Sequence, residues 1–269
     1  MNFSVLLSLY YKENPNYLRE SLDSIFTQTV LPNEIIMVKD GPLTEDLDQT
    51  VLEYEKKYSF FKVIPLEQNQ GLGKALNIGL DACTNDIVAR MDTDDIAKSD
   101  RFEKQLKQFE NHPELDVVGA WIEEFEGNIA NVSSIRKVPQ EHKDIYKYAQ
   151  KRNPVNHPVV MFRKTAVLKA GGYQHFPLFE DYFLWVRMLM NGAKFHNIQE
   201  GLLYFRFTPD MFQRRGGWQY ALTEIKLMKL YYKMGFINAL TFLQNVVLRF
   251  AARVIPNNLR GYLYKKLAR

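Results

Sequence analysis

Three carboxylates, Asp92, Asp94 and Asp95, follow directly on a short apolar run, Ile87, Val88, Ala89 and Met91. A strand rises ~3.3 Å per residue with alternate side chains on one face, so Asp92 and Asp94 can point the same way at its exit. Two carboxylates ~5 Å apart repel by roughly 3 kcal/mol at an effective dielectric of 20. Something cationic should offset that. A hard divalent ion, Mg²⁺ or Mn²⁺, suits oxygen ligands and commonly reaches a protein through one or two carboxylates plus substrate phosphates. The cluster therefore fits a grip on a metal and a diphosphate. The plainer alternative is an Asp-rich turn capping the next helix.

The elements around the cluster decide between these. Ser4 to Leu9 reads as a strand and Tyr17 to Thr27 as a helix, with Leu18, Leu22, Ile25 and Phe26 at helical spacing. Glu34 to Val38 is a second strand ending at Lys39-Asp40-Gly41-Pro42; Leu47 to Tyr58 reads as a helix and Phe61 to Leu66 as a third strand. After the loop Asn69-Gln70-Gly71-Leu72-Gly73 come a helix from Lys74 to Ala82, the strand into the acidic cluster, and a helix from Arg101 to Asn111. Such alternation implies βαβ units, right-handed crossovers and a mostly parallel sheet. Ligands of these sheets bind outside the carboxyl ends of the strands. Tyr10, Asp40, Asn69 and the Asp cluster all fall there, which favours a binding rim over a chance cap. The loop glycines allow close backbone approach. Lys74, at a helix start, could neutralise a diphosphate with help from the helix dipole, or be a solvated lysine.

The second half is less regular. Val117 to Phe125 reads as a strand, Asn153 to Phe162 contains Asn156-His157-Pro158, and Gly171-Gly172-Tyr173 marks a turn. Phe179-Glu180-Asp181 opens a helix, Tyr182 to Asn191, followed by two strands, Lys194 to Ile198 and Leu202 to Phe207. The single Cys83 in 269 residues excludes an internal disulfide and suits a reducing compartment. The apolar start reads as a strand rather than a signal peptide, and no run reaches the ~18 apolar residues of a membrane span. Charge is unevenly placed: from Arg214 to Arg269 there are eleven Lys/Arg against the lone acid Glu224, leaving residues 1–213 at −6. In that basic tail Leu227, Leu230, Tyr231 and Met234, then Leu240, Leu243, Val247, Phe250 and Val254, lie at helical spacing beside Lys226, Lys229, Lys233, Arg249 and Arg253. A basic amphipathic helix suits a membrane interface, each Lys or Arg adding about 1 kcal/mol near an anionic surface. Packing on the rest of the chain or on a second subunit is the alternative. Nucleic acid is not expected, because the acidic rim repels phosphate backbones.

Taken in order, Ser21-Leu22-Asp23-Ser24-Ile25 with Gln28-Thr29, Glu34-Ile35-Ile36 leading to Asp40-Gly41, Asn69-x-Gly71-Leu72 with Asn77, Asp92-x-Asp94-Asp95, and Glu180-Asp181 before Leu184-Trp185 carry a resemblance. From about Phe3 to Phe207 the chain resembles an inverting glycosyltransferase of family 2. The resemblance implies an α/β GT-A fold, a Rossmann-like, mostly parallel sheet flanked by helices. It implies a catalytic domain at 1–213, with a donor half at about 1–112 and an acceptor half at about 113–213, and a helical extension at 214–269. Ser8, Tyr10 and Asp40 would hold the nucleotide base, Tyr10 by stacking, with Asn69, Lys74, Asp92 and Asp94 completing the nucleotide-sugar site. Lys39, where the family often has an acid, could reach a phosphate. Asp94 and Asp95 would bind Mn²⁺ or Mg²⁺; of Arg90 and Arg101, which bracket the cluster, one would form an ion pair with a carboxylate there, Arg101 being favoured. Asp181 matches the base that deprotonates the acceptor, with Glu180, His157 and Trp185 at the acceptor or just behind it. Gln213-Arg214-Arg215-Gly216-Gly217-Trp218 has the ingredients of the processive motif at the wrong spacing, which points to single additions. The implied reaction moves one sugar, from a UDP-sugar by family tendency, to a glycan or polyprenyl-diphosphate-linked acceptor in cell-surface polysaccharide synthesis. The implied place is cytoplasmic, at the inner face of the cell membrane. Two rivals are weaker. A sugar-1-phosphate nucleotidylyltransferase needs a Gly-rich loop where Tyr10 to Asn14 stand, and a non-catalytic glycan-binding module would not need Asp94, Asp95 and Asp181 together.

Overall fold

Strand-forming and helix-forming segments alternate along the computed structural model, which describes residues 1–207 and 217–254, with side chains as far as 249. Strand β1 (Phe3–Leu9) is buried throughout except for half-buried Ser8, as expected of a strand covered on both faces. Helix α1 (Pro15–Phe26) starts two residues before the expected Tyr17, because Asn14 caps it and Pro15 supplies a ready-set first turn. Strand β2 (Glu34–Lys39) leads to α2 (Glu45–Lys57), capped by Thr44, with acids in its first turn and lysines in its last, as the helix dipole favours. Next come β3 (Phe61–Pro65), α3 (Leu72–Ala82), β4 (Ile87–Arg90), the two-residue β5 (Ile96–Ala97) and α4 (Arg101–Asn111). The second half supplies β6 (Val117–Phe125), β7 (Val132–Arg136), α5 (His142–Ala149), a 3₁₀ turn (His157–Val159), β8 (Met161–Arg163), α6 (Lys164–Lys169), α7 (Glu180–Met190) and β9 (Phe195–Arg206).

The strands form one sheet in the order β3-β2-β1-β4-β8-β6-β9-β5, with β7 attached to β6. From β3 to β4 it is parallel; β8 enters antiparallel between β4 and β6, and β6 and β9 are parallel. The chain runs from β1 outward to β2 and β3, then returns to the other side of β1 as β4. That reversal opens a crevice beyond the carboxyl ends of β1 and β4. The two strands expected at Lys194 to Ile198 and Leu202 to Phe207 are one strand, β9. Ala120 pairs with Ile198 and Trp121 with Gly201, so Gln199 and Glu200 form an exposed bulge rather than a break.

Beyond the sheet, helix α8 (Trp218–Lys233) buries Leu227, Met228 and Tyr231 completely, Tyr231 meeting Tyr182 of α7 edge-on at 5.3 Å. The first apolar stripe of the tail therefore packs on the α/β body. Helix α9 (Ala239–Val254) turns Asn245 inward, donating to the Gln150 carbonyl, and Arg249 pairs with Glu224. Its Leu240, Leu243, Val247 and Leu248 face outward, 58–69% exposed. The side chains of Phe250, Arg253 and Val254, and residues 213–216 of the processive-like motif, lie outside the described residues. Among the described residues no helix is long and apolar enough to cross a membrane.

Candidate active site

Strand β4 delivers its acids to the crevice. Asp92, Asp94 and Asp95 each bring a carboxylate oxygen within 4.8 Å of the others. Asp95 is fully buried: Oδ1 accepts from the Arg206 amide at 2.8 Å, while Oδ2 has no partner among the described residues. Burial, then the charges of Asp92 and Glu13, push Asp94 up to about 7. Glu13, in the loop after β1, accepts from the Thr93 hydroxyl at 2.7 Å, and burial raises its pKa as well. Burial raises the pKa of Asp95 as well, so Glu13, Asp94 and Asp95 crowd one rim beside Asp92 with their charged forms disfavoured. An unsatisfied buried oxygen in an all-oxygen cluster fits a hard divalent cation.

The cation the structure supplies here is Arg90, which is ion-paired with Asp92. Burial works against its charge and Asp92 outweighs it, so its pKa is raised. Arg101, expected in that role, has no carboxylate partner among the described residues; its guanidinium donates to the Arg90 carbonyl at 2.7 Å and to Gln105 Oε1 at 3.1 Å. It braces the backbone beneath the cluster, and burial with the nearby Arg90 charge draws it down to about 9.

At the end of β2, Asp40 is 3% exposed, and its carboxylate accepts from the Gln70 amide at 2.7 Å, the Gly71 amide at 3.0 Å and Asn69 Nδ2 at 3.0 Å. Asp40 and Asn69 clasp each other and shape the loop leading into α3. Gly41, at φ 90°, permits the approach, since a Cβ there would lie 2.6 Å from the Asn69 nitrogen. Lys39 does not face the crevice. Adjacent strand residues alternate faces, and Lys39 pairs with Asp48 of α2. Tyr10 is 38% exposed beside Tyr11, their rings 6.0 Å apart, and Lys74 is exposed in the first turn of α3.

Opposite lies the first turn of α7. Asp181 Oδ2 accepts from Asn153 Nδ2 at 2.6 Å. Burial raises the Asp181 pKa, opposed by that bond, by the Tyr182 amide, and by the charges of Arg136 and Arg90. Because Arg90 is the ion-pair partner of Asp92, Asp181 and the acidic cluster share the field of one guanidinium. Glu180 packs on α3, where a Cβ on Gly73 would lie 3.3 Å from its Cγ. The turn before α7 holds Leu178 at φ 72°, a left-handed conformation costly for a leucine. His157 Nε2 lies 2.9 Å from the Tyr173 hydroxyl, and burial and Arg90 keep the imidazole neutral. Asn77 bonds both backbone groups of Tyr173, tying α3 to this side. Trp185 is fully buried against His157, Phe162 and Phe195, so it offers no surface to an acceptor; it belongs to the inward face of an almost wholly buried helix.

Glu13, Asn153, Tyr173 and Arg206 are the neighbouring residues that sequence reasoning missed, and of the two arginines bracketing the cluster it favoured Arg101 where Arg90 makes the ion pair. Glu13 stands just past the first strand and was open to the same strand-end rule that singled out Tyr10. Asn153 and Arg206 carry no local signal, since their partners are 28 and 112 residues away.

The family described as Glycosyl transferase family 2 matches residues 4–171. An Escherichia coli UDP-Gal:alpha-D-GlcNAc-diphosphoundecaprenol beta-1,3-galactosyltransferase is 41% identical over 267 residues, covering 99% of this chain and 96% of its own. The amylovoran biosynthesis glycosyltransferase AmsE of Erwinia amylovora is 40% identical over 98% of each. Among solved structures, a fragment of S. aureus TarS in complex with UDP-GlcNAc superimposes with TM-score 0.68 at 19% identity, over 100% of this chain and 77% of that one.

Proposed function

The chain belongs to glycosyl transferase family 2, and from that premise we propose that it moves a single sugar, with inversion, from a UDP-sugar to a hydroxyl of a polyprenyl-diphosphate-linked glycan. Supporting this reading, Arg90, the ion-pair partner of Asp92, also acts electrostatically on Asp181, and Glu180, next to Asp181, packs on Gly73 of the helix that follows the donor loop. The relative at 41% identity is named for a UDP-sugar donor and a diphospholipid-linked acceptor, which supports both substrate classes.

Ser8 and Tyr10 form the wall for the base, and Asp40 and Asn69 act by holding the adjoining loop in shape. Lys74 and the start of α3 face the diphosphate. Asp94 and Asp95 would hold Mn²⁺ or Mg²⁺, with Asp92 towards the ribose; once bound, the ion supplies positive charge for the departing diphosphate. Asp181 accepts the proton of the acceptor hydroxyl as that oxygen bonds to the anomeric carbon and the bond to the diphosphate breaks on the opposite face. Asn153 fixes the Asp181 carboxylate, and Glu180 braces the donor loop. Neutral His157, bonded to Tyr173, supports the same side from behind. Asp181→Asn keeps the shape and removes the base. It should leave UDP affinity within about twofold while turnover falls by 10²–10⁴; full turnover by this variant removes Asp181 from its role.

The outward row of Leu240, Leu243, Val247 and Leu248 on α9, with exposed Lys226, Lys229 and Lys233 on α8, supports peripheral attachment to an anionic leaflet, where a lipid-linked acceptor would be met.

A further inference from the structure

β9 reaches the acidic cluster from the far end of the fold. Its antiparallel pairing with β5 sets Tyr204 against Ile96 and Leu203 against Ala97, so the next residues of β9 run alongside Asp95 and Asp94. There Arg206 makes two contacts with the pair. Its backbone amide donates to Asp95 Oδ1 at 2.8 Å, and its Nε donates to the Asp94 carbonyl at 2.9 Å. The side chain is 4% exposed and held on all sides: its guanidinium lies over the ring of Tyr17 at 3.9 Å and of Phe125 at 4.7 Å, and pairs with Glu20 of α1. With Oδ1 tied to β9, the Asp95 oxygen left without a partner among the described residues is Oδ2.

We infer that Arg206 is a positioning residue for the Asp94–Asp95 pair: its side chain fixes the peptide between the two acids and anchors the β9 backbone whose amide sets the rotation of the Asp95 carboxylate, so that the donor's divalent ion meets a preset pair of oxygens. The inference rests on the proposed metal role of these acids and adds the group that orients them. Three elements are recruited for it: β9 provides the arginine, α1 provides Tyr17 and Glu20, and β6 provides Phe125. A planar guanidinium suits the task because it can stack on two rings, donate to a carbonyl and pair with a carboxylate at once, whereas a lysine ammonium cannot do so in one geometry. Partners that orient ligating carboxylates typically change metal affinity 10–100-fold when removed.

The test is UDP binding to the full chain, titrated with Mn²⁺, for wild type, Arg206→Met, Arg206→Lys and Glu20→Gln, with thermal melting to confirm folding. Arg206→Met should need at least about tenfold more Mn²⁺ for half-maximal UDP binding, Arg206→Lys should recover part of the loss, and Glu20→Gln should show a smaller increase in the same direction. A folded Arg206→Met with the wild-type Mn²⁺ requirement overturns the inference. If Arg206→Met does not fold, an unchanged requirement in both Arg206→Lys and Glu20→Gln overturns it equally. Wild-type protein that binds UDP alike with and without Mn²⁺ removes the metal role of Asp94 and Asp95, and this inference with it; that failure is read on the wild-type arm alone.

Discussion

Asp181 is a carboxylate whose burial favours the neutral form, and the Asn153 bond is the strongest influence holding it back towards ionisation. The sign follows directly. A base must be deprotonated, so a raised pKa moves the acid limb of the turnover profile above the ordinary carboxylate range. Asn153→Ala removes a stabiliser of the charged form and should move that limb to still higher pH, with activity at alkaline pH the least affected; an unmoved acid limb in a kcat–pH profile would separate Asn153 from the base. At the donor side, Asp95→Asn should weaken Mn²⁺-supported UDP binding by at least about tenfold, checked by calorimetry with and without the ion. The acids themselves were legible in the chain because strand ends in an alternating α/β pattern are where polar groups gather. Their partners were not. Which arginine pairs with Asp92 depends on side-chain direction: Arg90 shares the strand's exit with Asp92, whereas Arg101 turns under the backbone to cap carbonyls.

The clasp between the end of β2 and the loop before α3 shows how an element carries a site. Asp40 spends three hydrogen bonds on that loop, and Gly41 lets the two backbones meet. Gly41→Ala places a methyl group against the Asn69 amide and forces a left-handed φ on alanine, so it should destabilise the protein by about 1–2 kcal/mol. It should also weaken UDP binding by displacing the loop; a denaturation midpoint and UDP affinity both at wild-type values would contradict this account. Asp40-Gly41 and the Asn69–Gly73 loop were each visible in sequence, but not that one is built on the other. Periodicity likewise failed at β9, where Gln199-Glu200-Gly201 reads as a break. Its pairing with β6 absorbs the extra residues as a bulge, which only the register reveals. For Trp185 the sequence left two places open, at the acceptor or just behind it, and burial against His157 leaves the second. Its place beside the acidic pair suggested the site, while helix α7 is buried on nearly every side and turns the indole into the core.

Across the whole molecule, the strand-helix alternation of residues 1–111 was enough to give the parallel half of the sheet and the rim on which ligands gather. The second half was harder to read because β8, β6 and β9 join the sheet out of chain order. The basic tail divides by packing: α8 completes the core, and α9 presents the apolar row outward. Leu240, Leu243 and Leu248 each replaced by Ser should therefore leave the melting temperature within a few degrees, while cosedimentation with anionic vesicles falls severalfold and is released by high salt. Vesicle binding equal to wild type in the triple variant would assign that face to something other than lipid.

Strand β4 lies between β1 and β8, and its pairing partner in β8 emerges from the ribosome about 70 residues later. Until β8 is added β4 has an open edge, and Asp94 and Asp95, just past its end, lack Arg206, which belongs to the later strand β9. The like charges crowded at that tip should keep the nascent edge from pairing with another copy, as acidic gatekeepers do. The groups that chemistry demands at the end of synthesis would then guard the chain against aggregation during it.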